Sequence, residues 1–278
     1  MSKSISQKRI LITGAGGSLG AAAALEFASA GWHVYAADVK AVEWHNDDIT
    51  PIVMDVTDEA NVASAAERIG KDGELSLILH MAGLYTMDSF IEIEPDTLRD
   101  MLNVNLLGVY HVNRAFFPLL SKTDGRIIIT ASELAALDPL PFNGIYSMTK
   151  RALDAYAHSL ALELHLIGTK VITLYPGAYG DGMTKGSLSS MERMRSRTRL
   201  FADITDRFRS VMLSEIGSSK PPSDLAKRIR AIAEKPKPRF RYFMNCSPKL
   251  KMFSALPMRL QAFALRKLLV GKRPNRNP

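Results

Sequence analysis

Short, uninterrupted apolar runs recur along the first 180 residues, and helical periodicity follows most of them. The runs predict six buried strands, which are Lys8–Thr13, Trp32–Asp38, Ile52–Met54, Leu75–His80, Gly125–Ser132 and Thr169–Tyr175. The helical stretches between them are Leu19–Ala30, Asp58–Ile69, Asp96–Leu120 and Ile145–Ile167. Because the strands are apolar throughout and alternate with helices, the pattern predicts a parallel sheet covered on both faces.

The pattern changes after residue 180. Asp181–Pro222 is polar, rich in Ser, Arg and Met, and only loosely helical, so we expect a mobile substrate loop at about residues 181–222. Pro221–Glu234 reads as another helix, and Phe240–Asn245 as a seventh strand at the sheet edge. We therefore predict one domain over residues 1–246 and a separate basic, amphipathic C-terminal tail over residues 247–278.

Basic charge is concentrated at the C-terminal end of the 278 residues. The net charge is +8, but twelve of the 36 Lys and Arg residues lie in residues 235–278, which contain no Asp or Glu. The body of the chain is therefore mildly acidic, and we expect no nucleic-acid binding. The single cysteine, Cys246, excludes an intramolecular disulfide, and no Cys/His group has zinc spacing, so no metal site is expected. The start of the sequence shows no apolar signal core, and we expect a cytoplasmic location.

A glycine-rich turn lies between the first predicted strand and the first predicted helix, in the sequence ILITGAGGSLG. The N-terminus of a helix presents unpaired backbone N–H groups and a partial positive charge, so this turn can hold a pyrophosphate. We expect Gly14 to permit the tight turn and Gly20 to let the helix approach the sheet. A plain strand-to-helix connection would also explain the glycines, and the elements on either side favour the nucleotide interpretation.

Two carboxylates follow the next two strands. Asp38 ends the second strand, where it would accept hydrogen bonds from the ribose hydroxyls of NAD and repel the 2′-phosphate of NADP. No Lys or Arg occurs in residues 15–19, although Lys40 is close, so the charges favour NAD over NADP. The alternative for Asp38 is a solvated strand end. Asp55 follows the third strand and fits equally well as a ligand of the adenine amino group or as a cap of the helix that begins at Asp58.

Four polar residues form a candidate catalytic set. Tyr146 and Lys150 are four apart in a predicted helix and therefore share one face. A lysine ammonium near a phenol lowers its pKa from about 10 and makes it a better proton shuttle. Ser132 ends the fifth strand and could hold a substrate oxygen, and Asn105 could anchor a water that links Lys150 to solvent. Each residue alone is also compatible with an ordinary surface or core role, and only the joint pattern predicts catalysis.

The motifs together resemble the short-chain dehydrogenase/reductase family over about Lys8–Gly177. In family order, they are TGAGGSLG, Asp38, DVTD, HMAG, NVNLLG, ITAS, YSMTK and YPG. The resemblance implies a single-domain Rossmann fold, an α/β structure with a doubly wound, seven-stranded parallel sheet. It also implies hydride transfer between a nicotinamide and a substrate carbon.

The resemblance also assigns roles to individual residues. Tyr146 would be the general acid/base, Lys150 its pKa modifier and a ribose ligand, Ser132 the ligand of the substrate oxygen, and Asn105 the anchor of a proton relay. Besides Tyr146 and Lys150, the cofactor-binding candidates are Thr13, Gly14, Gly17, Ser18, Leu19, Gly20, Asp38, Asp55, Val56, Ala82, Gly83, Pro176, Gly177 and Tyr179.

Several positions depart from the short branch of the family. Ser18 stands where that branch usually has glycine, and Tyr179 and Asp181 occupy slots that usually hold a small aliphatic residue and a threonine. The glycine spacing and His80 instead resemble the extended branch. Two alternatives therefore stay open: an NAD-dependent epimerase or dehydratase, and a catalytically silent NAD-binding regulator.

The leading hypothesis is an oxidoreductase that interconverts a hydrophobic secondary alcohol and its ketone, such as a steroid, retinoid or acyl derivative. Its substrate pocket would be lined by Tyr85, Met87, Met183, Leu188, Met191 and Met194, although plain packing would also explain the methionines. The family resemblance implies a homodimer or homotetramer. The basic tail either packs on the protein or lies on an anionic membrane surface, since its apolar run is too short and too charged to span a bilayer.

Overall fold

A computed structural model describes residues 7–216 and 219–270, except for the side chains of residues 181–185 and 211–216. Seven parallel strands form one sheet in the order β3-β2-β1-β4-β5-β6-β7. The strands are β1 (Arg9–Thr13), β2 (His33–Asp38), β3 (Ile49–Val53), β4 (Leu77–His80), β5 (Arg126–Thr130), β6 (Lys170–Pro176) and β7 (Arg241–Met244). The order reverses between β1 and β4, and ligands of doubly wound sheets bind at the carboxyl ends of the strands beside such a point. The predicted sheet is confirmed, including the seventh strand at its edge.

Helices cover both faces of this sheet. They are α1 (Ser18–Ser29), α2 (Glu59–Gly70), α3 (Pro95–Leu102), α4 (Gly108–Leu120), α5 (Glu133–Ala136), α6 (Gly144–His165), α7 (Gly180–Arg197), α8 (Ala202–Ile216), α9 (Pro222–Ala233), α10 (Pro248–Ser254) and α11 (Met258–Leu269). Alternate strand residues point to opposite faces, so Ile10 and Ile12 pack with α1 and α9, whereas Leu11 packs with α2, α4 and α6. The uninterrupted apolar runs in the sequence follow from this burial on both faces.

The predicted long helix over Asp96–Leu120 is interrupted. Asn103–Leu107 forms a π-helical turn between α3 and α4, and its central residue, Asn105, is completely buried. Such insertions of one wider turn are frequent at functional sites. The prediction of one continuous helix was therefore wrong. The wider turn directs the Asn105 amide towards the backbone of Leu84, with which it forms two hydrogen bonds.

The connection between β2 and β3 contains no helix. Only residues 39–48 separate the two strands, too few for a full crossover helix packed along the sheet. Trp44, from the middle of this connection, packs against the cluster formed by β1, β2 and α1. The sheet is therefore covered here by a loop and one aromatic side chain.

The segment predicted as a loosely helical loop contains two regular helices, α7 and α8. The end of α7 is fastened to the segment after β4, because Arg197 pairs with Asp88. Glu92 accepts hydrogen bonds from the Thr198 hydroxyl at 2.6 Å and from the backbone N–H of Arg199 at 2.7 Å. The segment is thus more ordered than the sequence indicates, and its movement over a substrate stays a prediction.

The C-terminal helices are attached beside β5. The Ser247 N–H donates to Glu133 Oε2 at 2.7 Å, and the Asp138 N–H donates to the Ser254 hydroxyl at 2.9 Å. Gln261 donates from Nε2 to Asp138 Oδ2 at 2.7 Å. One side of the tail therefore packs on the domain, as one of the two alternatives predicts. Of the helices in residues 7–216 and 219–270, none is long and apolar enough to cross a membrane.

Candidate active site

The glycine turn is held against the end of β4 so tightly that side chains are excluded. Gly14 has a φ of +68°, and a Cβ there would lie 2.6 Å from the backbone of Ala82. A Cβ on Gly20 would lie 2.1 Å from the Gly14 carbonyl oxygen. Both distances are far below van der Waals contact, so glycine is required at these positions, as the motif predicts.

The N-terminus of α1 is open to an anion. Gly17 is its N-cap residue, no side chain caps it, and no acidic residue lies in its first turn. The backbone N–H groups of Ser18, Leu19 and Gly20 therefore retain their capacity to donate, together with the positive end of the helix dipole. Thr13 has a different task, because its hydroxyl accepts from the N–H groups of Met81 and Ala82 at 3.3 Å and joins β1 to β4.

Asp38 lies beside the glycine turn at the carboxyl end of β2. Its Oδ2 accepts from the Gly16 N–H at 3.0 Å, and its Oδ1 accepts from the Lys40 N–H at 3.2 Å. A Cβ on Gly16 would come within 3.0 Å of this carboxylate. The role of Gly16 was not predicted, because the sequence marks this residue only by its place in the glycine-rich turn. Both carboxylate oxygens keep unused lone pairs that can accept ribose hydroxyls.

Asp55 does not cap the following helix. Its Oδ1 accepts from the backbone N–H and the hydroxyl of Thr57, at 2.8 and 2.7 Å, and so closes a short turn. The N-cap of α2 is Asp58, whose carboxylate accepts from Ala60 and Asn61. The capping alternative for Asp55 is therefore wrong, because the helix begins one turn too late to reach it. The neighbouring Val56 is buried against Gly108, and its carbonyl lies 3.0 Å from His111 Nδ1.

Asn105 connects the end of β4 to α6, the helix that carries Tyr146 and Lys150. Its Oδ1 accepts from the Leu84 N–H at 2.7 Å, and its Nδ2 donates to the Leu84 carbonyl at 2.9 Å and to Thr149 Oγ1 at 3.0 Å. A Cβ on Gly83 would lie 3.4 Å from Asn105 Oδ1 and 3.6 Å from Lys150 Nζ. Asn105, Gly83 and Lys150 are thus brought together at the carboxyl ends of β4 and β5.

The side chains of Tyr146, Lys150 and Ser132 meet at the same edge of the sheet. Lys150 Nζ donates to the Thr130 carbonyl at 2.9 Å and lies 5.8 Å from the centre of the Tyr146 ring. The Ser132 hydroxyl lies beside that of Tyr146, where it can donate to the phenolate oxygen. Ser132 also serves as the N-cap of α5, accepting from the Leu134 N–H at 3.2 Å. One helix turn and one strand end therefore deliver the three groups predicted to act together.

Burial governs the protonation of this group. It raises the pKa of Tyr146, and the hydrogen bond from Ser132 opposes the shift only in part. Burial also lowers the pKa of Lys150 to about 8. We predicted a Tyr146 pKa lowered by Lys150, but the net shift is upward because desolvation of the phenolate is the larger effect. Tyr146 is therefore a neutral phenol at pH 7 in this arrangement and is able to donate a proton.

The turn after β6 is packed closely against β7. A Cβ on Gly177, which follows Pro176, would lie 2.1 Å from the Asn245 carbonyl oxygen. Tyr179 lies almost completely within the core, and its hydroxyl donates to Asp224 Oδ2 at 3.3 Å. The side chain of Tyr179 thus points away from the crevice, and only its backbone remains a candidate for cofactor contact. The side chain of Asp181 lies outside the described residues.

An apolar cluster borders Tyr146. The Tyr85 ring packs edge-on against the Tyr146 ring with centroids 4.8 Å apart, and its hydroxyl donates to Asn143 Oδ1 at 2.8 Å. Beyond Tyr85, the cluster consists of Met87, Phe142, Met191, Met194, Phe208 and Leu269, with Phe201, Ile204 and Leu265 at its edge. Leu188 is half-buried nearby in α7, and the side chain of Met183 lies outside the described residues. Helices α7, α8 and α11 thus form an apolar wall on this side of the site.

Replacing Asn105 with alanine is expected to lower the free energy of unfolding by about 2–3 kcal/mol, since three hydrogen bonds in a fully buried position are lost. Urea denaturation followed by circular dichroism measures the change. Asn103→Ala is the matched control in the same π-helical turn, where the side chain is half-buried. Equal losses in the two variants would contradict the assigned role of the Asn105 amide.

The residues present fit a nicotinamide dinucleotide. A glycine cradle that a Cβ would fill, an uncapped helix N-terminus and a carboxylate at the end of β2 all lie along one crevice. Tyr146 and Lys150 lie farther along the same carboxyl ends of the strands, beside β5. This order of features matches the length and charge pattern of such a cofactor.

Comparison with known proteins agrees with the fold. The family model described as short chain dehydrogenase matches residues 8–192. A 3-ketodihydrosphingosine reductase of Bacteroides thetaiotaomicron is 27% identical, over 92% of this chain and 96% of that protein. The Escherichia coli oxidoreductase UcpA is 31% identical, over 61% of this chain and 68% of its own.

Solved structures share the fold at lower identity. A short-chain dehydrogenase from Burkholderia cenocepacia in complex with NADP has a TM-score of 0.70 and 23% identity, covering 96% of this chain and 98% of its own. A 3-ketoacyl-(acyl-carrier-protein) reductase from Brucella melitensis complexed with NADH has a TM-score of 0.66 and 22% identity, covering 88% of this chain and 93% of that one. The chain belongs to the short-chain dehydrogenases, NAD(P)-dependent oxidoreductases that act on CH–OH groups.

Proposed function

We propose that this protein interconverts a hydrophobic secondary alcohol and its ketone, with NAD as the preferred cofactor and Tyr146 as the general acid/base. The observation that carries the proposal is the placement of Ser132 beside the Tyr146 hydroxyl, with Lys150 Nζ 5.8 Å from the centre of the Tyr146 ring, at the carboxyl ends of the strands next to the glycine turn. Chance placement of one such residue is common, but three gathered beside a dinucleotide-binding turn support a proton-transfer site.

In the direction of reduction, the site would act through its own hydroxyls. Ser132 would hold the carbonyl oxygen of the substrate, and Tyr146, a neutral phenol, would donate its proton to that oxygen. Lys150 would hold the ribose next to the nicotinamide and stabilise the phenolate that remains. Asn105 would position the Lys150 helix through Thr149. The bound cofactor supplies the hydride, and Ser18, Leu19 and Gly20 would bind its pyrophosphate.

A lipophilic substrate is supported by the apolar wall and by the relatives. The half-buried Tyr85 ring offers a contact for a hydrocarbon rather than for a sugar, and the methionines behind it, Met87, Met191 and Met194, are buried in the cluster that supports it. Relatives whose names state a substrate include the NADPH-dependent 1-acyldihydroxyacetone phosphate reductase of Schizosaccharomyces pombe and the 17-beta-hydroxysteroid dehydrogenase type 6 of Bos taurus. The first name refers to an acyl group, the second to a steroid, and that of the 3-ketodihydrosphingosine reductase to a sphingosine derivative. Each of these groups is largely apolar.

The test is steady-state kinetics with NAD and NADP on matched panels of long-chain and short polar secondary alcohols. We expect kcat/KM to rise with the apolar length of the alcohol. Net reduction of free NAD argues against an epimerase or dehydratase, and measurable turnover argues against a silent regulator. A preference for short polar alcohols would contradict the proposed substrate class.

Asp38→Asn is expected to raise the ratio of kcat/KM with NADP to that with NAD by about 10- to 100-fold. The amide oxygen can retain the Gly16 hydrogen bond, whereas the weaker bond from the Lys40 N–H is lost. The substitution removes the negative charge that repels the 2′-phosphate. Asp55→Asn is the matched control on the next strand, which should change both cofactors alike. If Asp38→Asn weakens both cofactors equally, Asp38 is only a solvated strand end and the assignment of NAD preference fails.

A further inference from the structure

The two C-terminal helices expose large apolar side chains to solvent. In α11, the exposed fractions are 84% for Met258, 52% for Leu260 and 66% for Phe263, and Met252 in α10 is exposed to 73%. Soluble proteins carry single exposed apolar residues, but several within twelve residues of one another mark an interaction surface. We call the exposed side of α10 and α11 the tail surface.

The exposed side of α11 is fixed by the contacts of its other side. Gln261 and Leu269 are buried, Gln261 through its bond to Asp138 and Leu269 within the cluster that contains Phe208. The spacing i, i+3 places Leu260 and Phe263 on a common face, and Gln261 and Leu269 lie on the opposite one. One side of α11 therefore packs on the domain, and the opposite side faces solvent.

The charge of the tail surface has one sign. Lys251, Arg259, Arg266 and Lys267 are exposed, and within the described part of the chain none of these four takes part in an ion pair with a carboxylate. No Asp or Glu occurs anywhere in residues 235–278. Exposed apolar side chains between unpaired basic ones are the composition of a segment that lies in the interface of an anionic bilayer.

We infer that the tail surface is a docking site for an anionic phospholipid bilayer. Leu260 and Phe263 would enter the headgroup boundary, while Arg259 and Lys267 would contact lipid phosphates. A second copy of this chain is a poorer occupant, because pairing of the same surface would bring the basic residues of both copies together. A nucleic acid would match the charge but would leave the apolar side chains unused.

The tail surface is joined to the segment that carries the catalytic serine. Glu133, next to Ser132, accepts from Ser247, and Asp138 bonds both to Ser254 and to Gln261. A bilayer bound to the tail would therefore lie next to the active site. The inference goes beyond the proposed function and does not depend on the substrate.

The experiment is co-sedimentation of the full chain, without substrate, with vesicles of phosphatidylcholine alone or with added phosphatidylglycerol. We expect binding to the anionic vesicles only, decreasing as NaCl is raised. The double variant Leu260→Glu/Phe263→Glu should reduce the partition coefficient at least about tenfold. Leu166→Glu/Ile167→Glu is the matched control, because it adds the same charge at two apolar residues after α6 that are also more than half exposed, and it should bind as the wild type does.

Three results would overturn the inference: no binding of the wild type, equal binding to neutral vesicles, or equal loss in the two double variants. Thermal unfolding and NAD titration of both variants show that they are folded. Size-exclusion chromatography without vesicles adds a fourth decisive result. If only the Leu260/Phe263 variant changes its oligomeric state, the tail surface is a contact between copies instead.

Discussion

Replacing Tyr146 with phenylalanine is expected to lower kcat by about 10³-fold or more, with the affinity for NAD nearly unchanged. The hydroxyl is the group that would donate the proton, and the ring would keep its place against Tyr85 because the edge-on contact does not use the hydroxyl. Stopped-flow or steady-state kinetics on the best alcohol of the panel gives kcat. Calorimetric titration gives the affinity for NAD.

Tyr85→Phe is the natural control for this variant. Its hydroxyl donates to Asn143 and lies in the same buried cluster, but it is not bonded to Ser132. We expect a change mainly in KM, with kcat within about tenfold of the wild-type value. A Tyr146→Phe enzyme that turned over as fast as the Tyr85→Phe enzyme would refute the role given to Tyr146.

Lys150→Met is expected to reduce kcat/KM by about 10²- to 10³-fold and also to change how stability depends on pH. The pKa of Lys150 is lowered from 10.5 to about 8, so the folded protein loses this proton more readily than the unfolded chain. Unfolding therefore takes up a proton between these pH values, and the free energy of unfolding rises with pH across that window. The buried ammonium lowers the free energy of unfolding below about pH 8. This destabilisation is lost progressively as the pH rises from about 8 to 10.5.

The measurement is urea denaturation of wild type and variant at pH 7 and at pH 10.5. The difference in unfolding free energy, wild type minus variant, should increase by roughly 2–3 kcal/mol between the two values. Other titrating groups cancel in this difference. A difference independent of pH would show that the ammonium is not held in a desolvated place, and the ribose-binding role of Lys150 would lose its physical basis.

The sequence predicts the sheet well because burial on both faces leaves a strong pattern. Uninterrupted runs such as Ile127–Ile129 can only belong to strands or buried helices, and the glycines and helical stretches around them decide the matter. The Tyr146–Lys150 spacing likewise fixes a shared helix face. These features are local, so that a few neighbouring residues specify them.

Features that depend on distant contacts were not predictable in the same way. The π-helical turn at Asn105 exists because the amide bonds Leu84, 21 residues earlier. Tyr179 is buried against α9, where Asp224 accepts a hydrogen bond from its hydroxyl. Likewise, α7 has few apolar residues by sequence, and its carboxyl end is held by Asp88 and Glu92. The upward pKa shift of Tyr146 also reflects burial that no spacing of residues reveals.

The attachment of Ser247, Ser254 and Gln261 to the Glu133–Asp138 segment has a practical consequence for anyone who produces the protein. An affinity tag at the carboxyl-terminal end would follow the helices that brace the segment after Ser132, the residue proposed to hold the substrate oxygen. The amino end of β1 is the end of the strand that faces away from the site, because all seven strands are parallel and their carboxyl ends point towards the site. Purification handles therefore belong at the amino-terminal end, where they leave the serine loop undisturbed.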